Sequence, residues 1–505
     1  MNNLKDIKLN IKPLVTLFYH EYVFEGPCRS GSPDMLTKDY DLAKNEKKAK
    51  ARLDLIEKNL GDIEYFNLME PTIISSDENF LPLDSIVDKM LEDDDKCDAY
   101  IIAHTSRNCE LVLLMAQRTN KPLVFTPEPF PFMDITISAM RARGINSGFN
   151  YLNWEDTCKC FEVLRACKVL RQMRILCVGR FGSERNGSAL DNFADYEVVN
   201  QKLGVNFTFA NIHEYLDMTH PLDSEKNYTL PGRAALNPTE EDMEEIWRQT
   251  DELIAGADVN EMERDEVMRS VKGCYVIDKM LEAYECNAYM AVCPDACATR
   301  RLNDERFTFC LTHSLHHECG IPSACEYDGP ACVSQAILGA LGHKPVFMGN
   351  TTHHLQFEGE TIGARGIEEM EQYPENTLVT WHAVTSRHMK GFDTPASKYL
   401  LRPFTWSGFG VTLRTDFNED KGQVVTMCRI NPACTKMLVA KGTIAGGVGY
   451  NLDGCNIGVY ITVKDEHDFY QKQLECGNHV PLVYGDCFDE VCQLGELLGL
   501  EVLKA

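Results

Sequence analysis

Three things are scarce in this 505-residue chain. No apolar run approaches the roughly 20 residues that a membrane-spanning helix needs, so a helical membrane protein is not expected. The first twelve residues mix Asn, Lys, Asp and Ile and lack the apolar core of a secretory signal, which makes the cytoplasm the expected location. Basic residues are outnumbered, with 50 Lys and Arg against 76 Asp and Glu and a net charge of −26. Nucleic-acid binding depends on cations that neutralise phosphates, so no nucleic-acid partner is expected either. Much of the acid falls in helix-like stretches, such as 239–248 and 258–266, where its plain role is solubility. Internal repeats and low-complexity tracts are absent. The glycine-containing loops at 26–32 and 179–182 match neither a dinucleotide fingerprint nor a P-loop.

Cysteine, by contrast, is abundant. The 21 cysteines are odd in number, scattered, and often embedded in apolar runs, as at Cys177, Cys286, Cys310 and Cys428. A secreted disulfide framework is short and evenly paired. Scattered thiols in a long chain are better read as small core residues kept reduced.

The patterning alternates between strands and helices. Apolar runs at 14–19, 98–104 and 122–126 are separated by helical stretches at 38–60 and 108–119. Uninterrupted apolar strands between helices indicate a parallel sheet covered on both faces. The pattern restarts with Arg174-Ile175-Leu176-Cys177-Val178-Gly179, then strands at 205–209, 287–293 and 320–325. After about residue 350, Pro-Gly-Asn turns and Thr/Val-rich strands such as 423–430 and 437–440 take over. The expected fold is α/β, with two doubly wound Rossmann-like domains over 1–170 and 171–350. A mainly antiparallel, barrel-like domain over 351–505 completes it.

Ligand-type residues are densest between Cys293 and His354. Cys293 and Cys297 with His313 and His316 have an atypical spacing for zinc. The segment Ser323-Ala324-Cys325-Glu326-Tyr327-Asp328 is more informative. Ligands in an open α/β sheet bind beyond the carboxyl ends of strands, and Glu326 lies at such an end. Asp328-Gly329-Pro330 reads as the capped start of a helix, with Asp328 the cap. The next strand, 345–348, ends at Gly349-Asn350, so two adjacent strand ends are expected to present Glu326 and Asn350 to one crevice.

Taken in order, these features resemble the L-fucose and L-arabinose isomerases: Glu326 before a helix, a polar residue at the next strand end, Gly477-Asn478-His479, and Val483-Tyr484-Gly485-Asp486. The stretch 423–430 and the ending Glu496-Leu497-Leu498-Gly499-Leu500 add to the likeness, which is clearest over 287–505. The resemblance implies a metal-dependent aldose–ketose isomerase acting on a free or modified sugar through an enediolate. It implies a divalent cation, usually manganese, held by Glu326, Asn350 and His479. A hard cation favours oxygen and imidazole ligands and keeps positions open for two vicinal sugar oxygens. The family also implies a homo-oligomer, trimer or hexamer, and an N-terminal arginine, here Arg29, reaching a neighbouring active site.

One departure matters. The family's second carboxylate is Asn350 here, and an amide can ligate but cannot shuttle protons. The catalytic candidates are therefore Glu326, Asn350 and His353, with His354 and Asp295 also near in sequence. Ser386, in the segment Trp381 to Arg387, could bond sugar hydroxyls, and Trp406 could stack on a sugar face. Three functions stay open: isomerisation, a related epimerisation or lyase reaction on the same site, and non-catalytic sugar binding.

Overall fold

The computed structural model describes residues 3–19, 37–76, 83–104, 109–127, 131–185, 189–225, 235–293, 300–353, 373–404 and 408–505. The chain divides into two compact units, Asp6–Lys168 and Met1–Lys5 with Val169–Ala505.

The first unit is built on a parallel sheet. Its strands are β1 (Leu9–Phe18), β2 (Phe66–Leu68), β3 (Thr72–Ser76), β4 (Ala99–His104), β5 (Leu123–Phe125) and β6 (Gly148–Phe149), ordered β2-β1-β4-β5-β6. The long β1 takes β2 along its first residues and β3 along its last. Alternate residues of each strand enter different cores. Tyr100, Ile102, Leu123 and Phe125 pack into one, and Ala99, Ile101, Ala103 and Val124 into the other. Burial on both faces is why these strands are apolar throughout.

The second unit begins with β7 (Arg174–Gly179), β8 (Asn206–Asn211), β9 (Val259–Asn260), β10 (Ala288–Ala291) and β11 (Ser323–Ala324). Four of these form a second parallel sheet in the order β11-β10-β7-β8. The acidic region after Thr239 forms two helices, α1 (Glu240–Gly256) and α2 (Arg264–Ala283). They are followed by α3 (Cys310–Glu318) and α4 (Gly329–Gly342).

The remaining strands are β12 (Val346–Phe347), β13 (Asn350–Thr352), β14 (Thr377–Trp381), β15 (Tyr399–Pro403), β16 (Val411–Thr415), β17 (Val424–Ile430), β18 (Lys436–Val448), β19 (Gly458–Val463), β20 (Leu482–Tyr484) and β21 (Glu501–Lys504). β15, β16 and β9 make a small separate sheet. The others make an eight-stranded sheet ordered β12-β20-β17-β18-β19-β14-β13, with β21 parallel to β18 and the remaining pairs antiparallel. Two parallel sheets followed by a curled antiparallel sheet is the expected fold class.

One expected adjacency is corrected. The strand over 345–348 does not extend the parallel sheet beside β11; β12 pairs antiparallel with β20. The short segment 346–352 is shared between two partners, β20 through β12 and β14 through β13. A bridge between Asn350 and His479 joins the two edges, with Thr351 N–H donating to Asn478 O (3.3 Å) and Val480 N–H to Gly349 O (3.1 Å). The sheet thereby closes on itself. Gly349 makes the seam feasible, because a Cβ there would lie 2.7 Å from the carbonyl oxygen of Trp381.

Candidate metal centre

Glu326 leaves the end of β11 in a conformation that few side chains adopt, φ 60° and ψ 21°, and Tyr327 follows at φ 61°. Two successive left-handed residues cost on the order of 1–3 kcal/mol each, so their surroundings must enforce them. Tyr327 is buried, and its ring lies against Gly179 at the end of β7, where a Cβ would stand 2.7 Å from the ring. Asp328 then caps α4, its Oδ1 accepting from Ala331 N–H at 2.8 Å. Strand end, tyrosine and cap together fix where the Glu326 carboxylate points.

It points at two histidines from the curled sheet. His382 follows β14, and its Nε2 lies 3.5 Å from Glu326 Oε1. His479 stands in the barrel seam, and its Nε2 lies 3.7 Å from Glu326 Oε2. One ligand atom from each of the three falls within 4.8 Å of the others. Both rings are buried, and neither nitrogen of His382 nor Nε2 of His479 has a hydrogen-bond partner among the described residues. Buried polar atoms are normally paired, and these separations exceed hydrogen-bond length. A cation among them would satisfy all three groups, so the residues fit a metal. Two imidazoles and a carboxylate suit a divalent first-row ion.

Behind the site, Asp328 sets the tautomer of His479. Its Oδ2 accepts from His479 Nδ1–H at 2.8 Å, which leaves the Nε2 lone pair directed at Glu326. The same oxygen accepts from Arg429 Nη1 at 2.8 Å. Arg429, fully buried on β17, also donates to His479 O, Cys476 O and Asp191 Oδ2. Burial pushes the Asp328 carboxyl up, but Arg429 and His479 outweigh it and hold it at about 2. Burial also pushes Glu326 up, and the neighbouring His382 and His479 rings bring it below its usual value. Glu326 is therefore a carboxylate at neutral pH.

The other sequence candidates distribute as follows. Asn350 is directly opposite His479 across the seam in the backbone pairing, but its side-chain contact is with the neighbouring Asn478. Its Oδ1 accepts from Asn478 Nδ2, leaving its own NH2 group as the available function. His353 is not brought to the cluster. Its Nε2 is 2.6 Å from Gln473 Oε1, and its ring packs against Phe469 and Tyr470 of the helix Glu466–Cys476. Ser386 is buried and accepts from His388 N–H at 3.1 Å, which fixes a turn. Arg29, Trp406, Asp295 and His354 lie outside the described residues. His382 is the site member that the sequence did not single out, although it lies in the same Trp381–Arg387 segment as Ser386.

No family model matches this chain. Among curated proteins it is similar to the sulfoquinovose isomerases of Priestia aryabhattai and Priestia megaterium, at 25% identity over 346 residues in each case. The match takes in 67% of this chain and 66% of each relative, so it spans just under two thirds of their length. What the chain resembles over that span is a sugar isomerase.

Proposed function

We propose that this chain is an aldose–ketose isomerase of a monosaccharide, working with a divalent cation, manganese in the first instance, held by Glu326, His382 and His479. The observation that carries the reading is the convergence of one carboxylate and two buried imidazoles whose facing nitrogens have no hydrogen-bond partner among the described residues. Similarity to two sulfoquinovose isomerases supports the same class of reaction. When bound, the cation would polarise the sugar carbonyl and favour loss of the proton on the neighbouring carbon. Glu326 is the carboxylate suited to carry that proton between C1 and C2. Asp328 and Arg429 hold the His479 ring in register, and Asn350 can donate a hydrogen bond to a sugar oxygen but cannot carry a proton. The protein is proposed to act in the cytoplasm as a trimer or hexamer, which light scattering on the purified chain checks.

A second reading, epimerisation or bond cleavage on the same centre, is favoured by one observation. Asp328, the other carboxylate beside His479, is fully engaged by His479, Arg429 and the helix cap, and Asn350 stands where the resemblance to the L-fucose and L-arabinose isomerases implies a carboxylate. Incubation with Mn2+ and L-fucose, L-arabinose or sulfoquinovose in deuterated water separates the readings. An isomerase converts aldose to ketose and exchanges the C2 proton. An epimerase exchanges it and returns an aldose, and a lyase releases fragments. Binding without exchange or fragments on every sugar rejects both enzymatic readings in favour of a sugar-binding protein.

A further inference from the structure

Another group of ligand-type side chains lies away from this centre, between α2 and α3. Cys274 and Asp278 are four residues apart on α2 and so share one face of the helix. His316 comes from α3. Its Nε2 is 3.7 Å from Cys274 Sγ and 2.8 Å from Asp278 Oδ1. Cys274 and His316 are buried, whereas the Asp278 side chain is 53% exposed.

A hydrogen-bonded triad does not account for this arrangement. In a thiol–imidazole–carboxylate triad the two partners bond to different ring nitrogens. Here both converge on Nε2, which carries at most one proton, and Nδ1 has no hydrogen-bond partner among the described residues. A proton on Nε2 can serve Asp278 well but leaves the thiol without a good bond. A metal ion satisfies all three at once. Tetrahedral zinc, with bonds of roughly 2.3 Å to sulfur and 2.0–2.1 Å to nitrogen, sets those two ligand atoms about 3.6 Å apart, close to the observed 3.7 Å; it also needs about 3.4 Å between nitrogen and carboxylate oxygen, so the half-exposed Asp278 would swing out from its present 2.8 Å contact with His316 to bind. Thiolate with imidazole and carboxylate suits zinc or cobalt better than a hard cation.

We propose that Cys274, Asp278 and His316 form a second cation site, selective for a thiolate-binding metal such as zinc, which clips α2 to α3. It has three protein ligands and a fourth position open on the Asp278 side. The site is independent of Glu326, so it is tested in the full-length Glu326→Gln variant as well as in the wild-type chain. Cobalt(II) is the probe. Both proteins are expected to develop a thiolate-to-cobalt charge-transfer band that zinc displaces, and Zn2+ is expected to raise Tm. Asp278→Asn, at an exposed position that leaves the core intact, is expected to weaken Co2+ binding by about 10-fold or more, since a charged ligand should matter at least as much as an outer-shell partner. Cys274→Ser is expected to abolish the band. No charge-transfer band in the wild-type chain, or a band of unchanged strength and affinity in Asp278→Asn, overturns the proposal.

Discussion

Glu326 combines two properties in one side chain: a left-handed backbone that aims it and a carboxylate that faces two imidazoles. Glu326→Gln preserves size and the hydrogen-bonding backbone but removes the charge. Turnover should fall by about 100-fold or more, the lower range for losing a general base, while the thermal melt stays near wild type. Wild-type turnover in this variant would remove Glu326 from the mechanism. Asn350 poses the complementary question. Asn350→Asp adds a negative charge beside His479, so metal affinity should rise. If a lost carboxylate is all that separates this chain from an ordinary isomerase, isomerase turnover should rise with it. If the NH2 group of Asn350 serves the native reaction, turnover should drop by about 10-fold, the equivalent of about 1.4 kcal/mol. Titration calorimetry with Mn2+ and a turnover assay read the two effects separately. Unchanged affinity and turnover would mean that Asn350 does not face the site.

At the scale of single elements, the signals that were legible were local ones. The end of β11, the Asp328-Gly329-Pro330 cap and the glycine ending β7 all lie in short stretches of sequence, and together they locate Glu326. His382 was not legible as a ligand, because what brings it to Glu326 is a sheet built from pairings distant in sequence, β14 with β19 and Asn350 with His479 at the seam. His353 lies three residues beyond Asn350. Residues three apart on an extended strand face opposite sides, and its partner Gln473 accordingly lies in the helix Glu466–Cys476.

Another element-scale feature is the start of α1. Thr239 and Asp242 form a reciprocal capping box, and Lys279 and Tyr275 of α2 donate to the same Asp242 carboxylate. Burial pushes this carboxyl up, but Lys279, Thr239 and Tyr275 together hold it at about 2, below its ordinary 3.8. A depressed carboxyl contributes stability that is fully present above the ordinary value and is lost as pH falls through about 2. Asp242→Ala should cost about 1–2 kcal/mol in urea unfolding near neutral pH, the range for a helix cap. The difference from wild type should shrink in acid. A gap that stays constant down to pH 2 would mean that the charge is not what stabilises the helix start.

For the molecule as a whole, the buried Asp328–Arg429 pair ties the start of α4 to β17, and through His479 to the seam of the curled sheet. Removing one partner of a buried ion pair costs up to about 3–5 kcal/mol. Asp328→Asn should approach that figure in denaturant melts, softened because Arg429 keeps Asp191. It should also weaken Mn2+ binding by about 10–100-fold through the freed His479 ring. A variant with normal stability and normal Mn2+ affinity would show that the pair neither braces the fold nor orients the ligand. The curled-sheet class was visible in the turn-rich texture after residue 350. The pairing of 346–352 with two partners was not, because the partners of a strand are chosen by tertiary packing rather than by its own residues.

The seam also couples two processes that are usually separate. His479 is both a member of the candidate metal centre and one half of the bridge that closes the barrel. A cation bound there would resist any opening that carries His479 away from Asn350, so the rate at which metal leaves would be bounded by how often the seam parts. The amides of Thr351 and Val480, which donate across the seam, report that event. On adding Mn2+, their hydrogen exchange should slow in proportion to site occupancy, while amides at the β4–β5 pairing in the first unit keep their rates. Equal slowing at both places would mean that the ion steadies the chain generally; slowing confined to the seam would make barrel closure the gate for the metal.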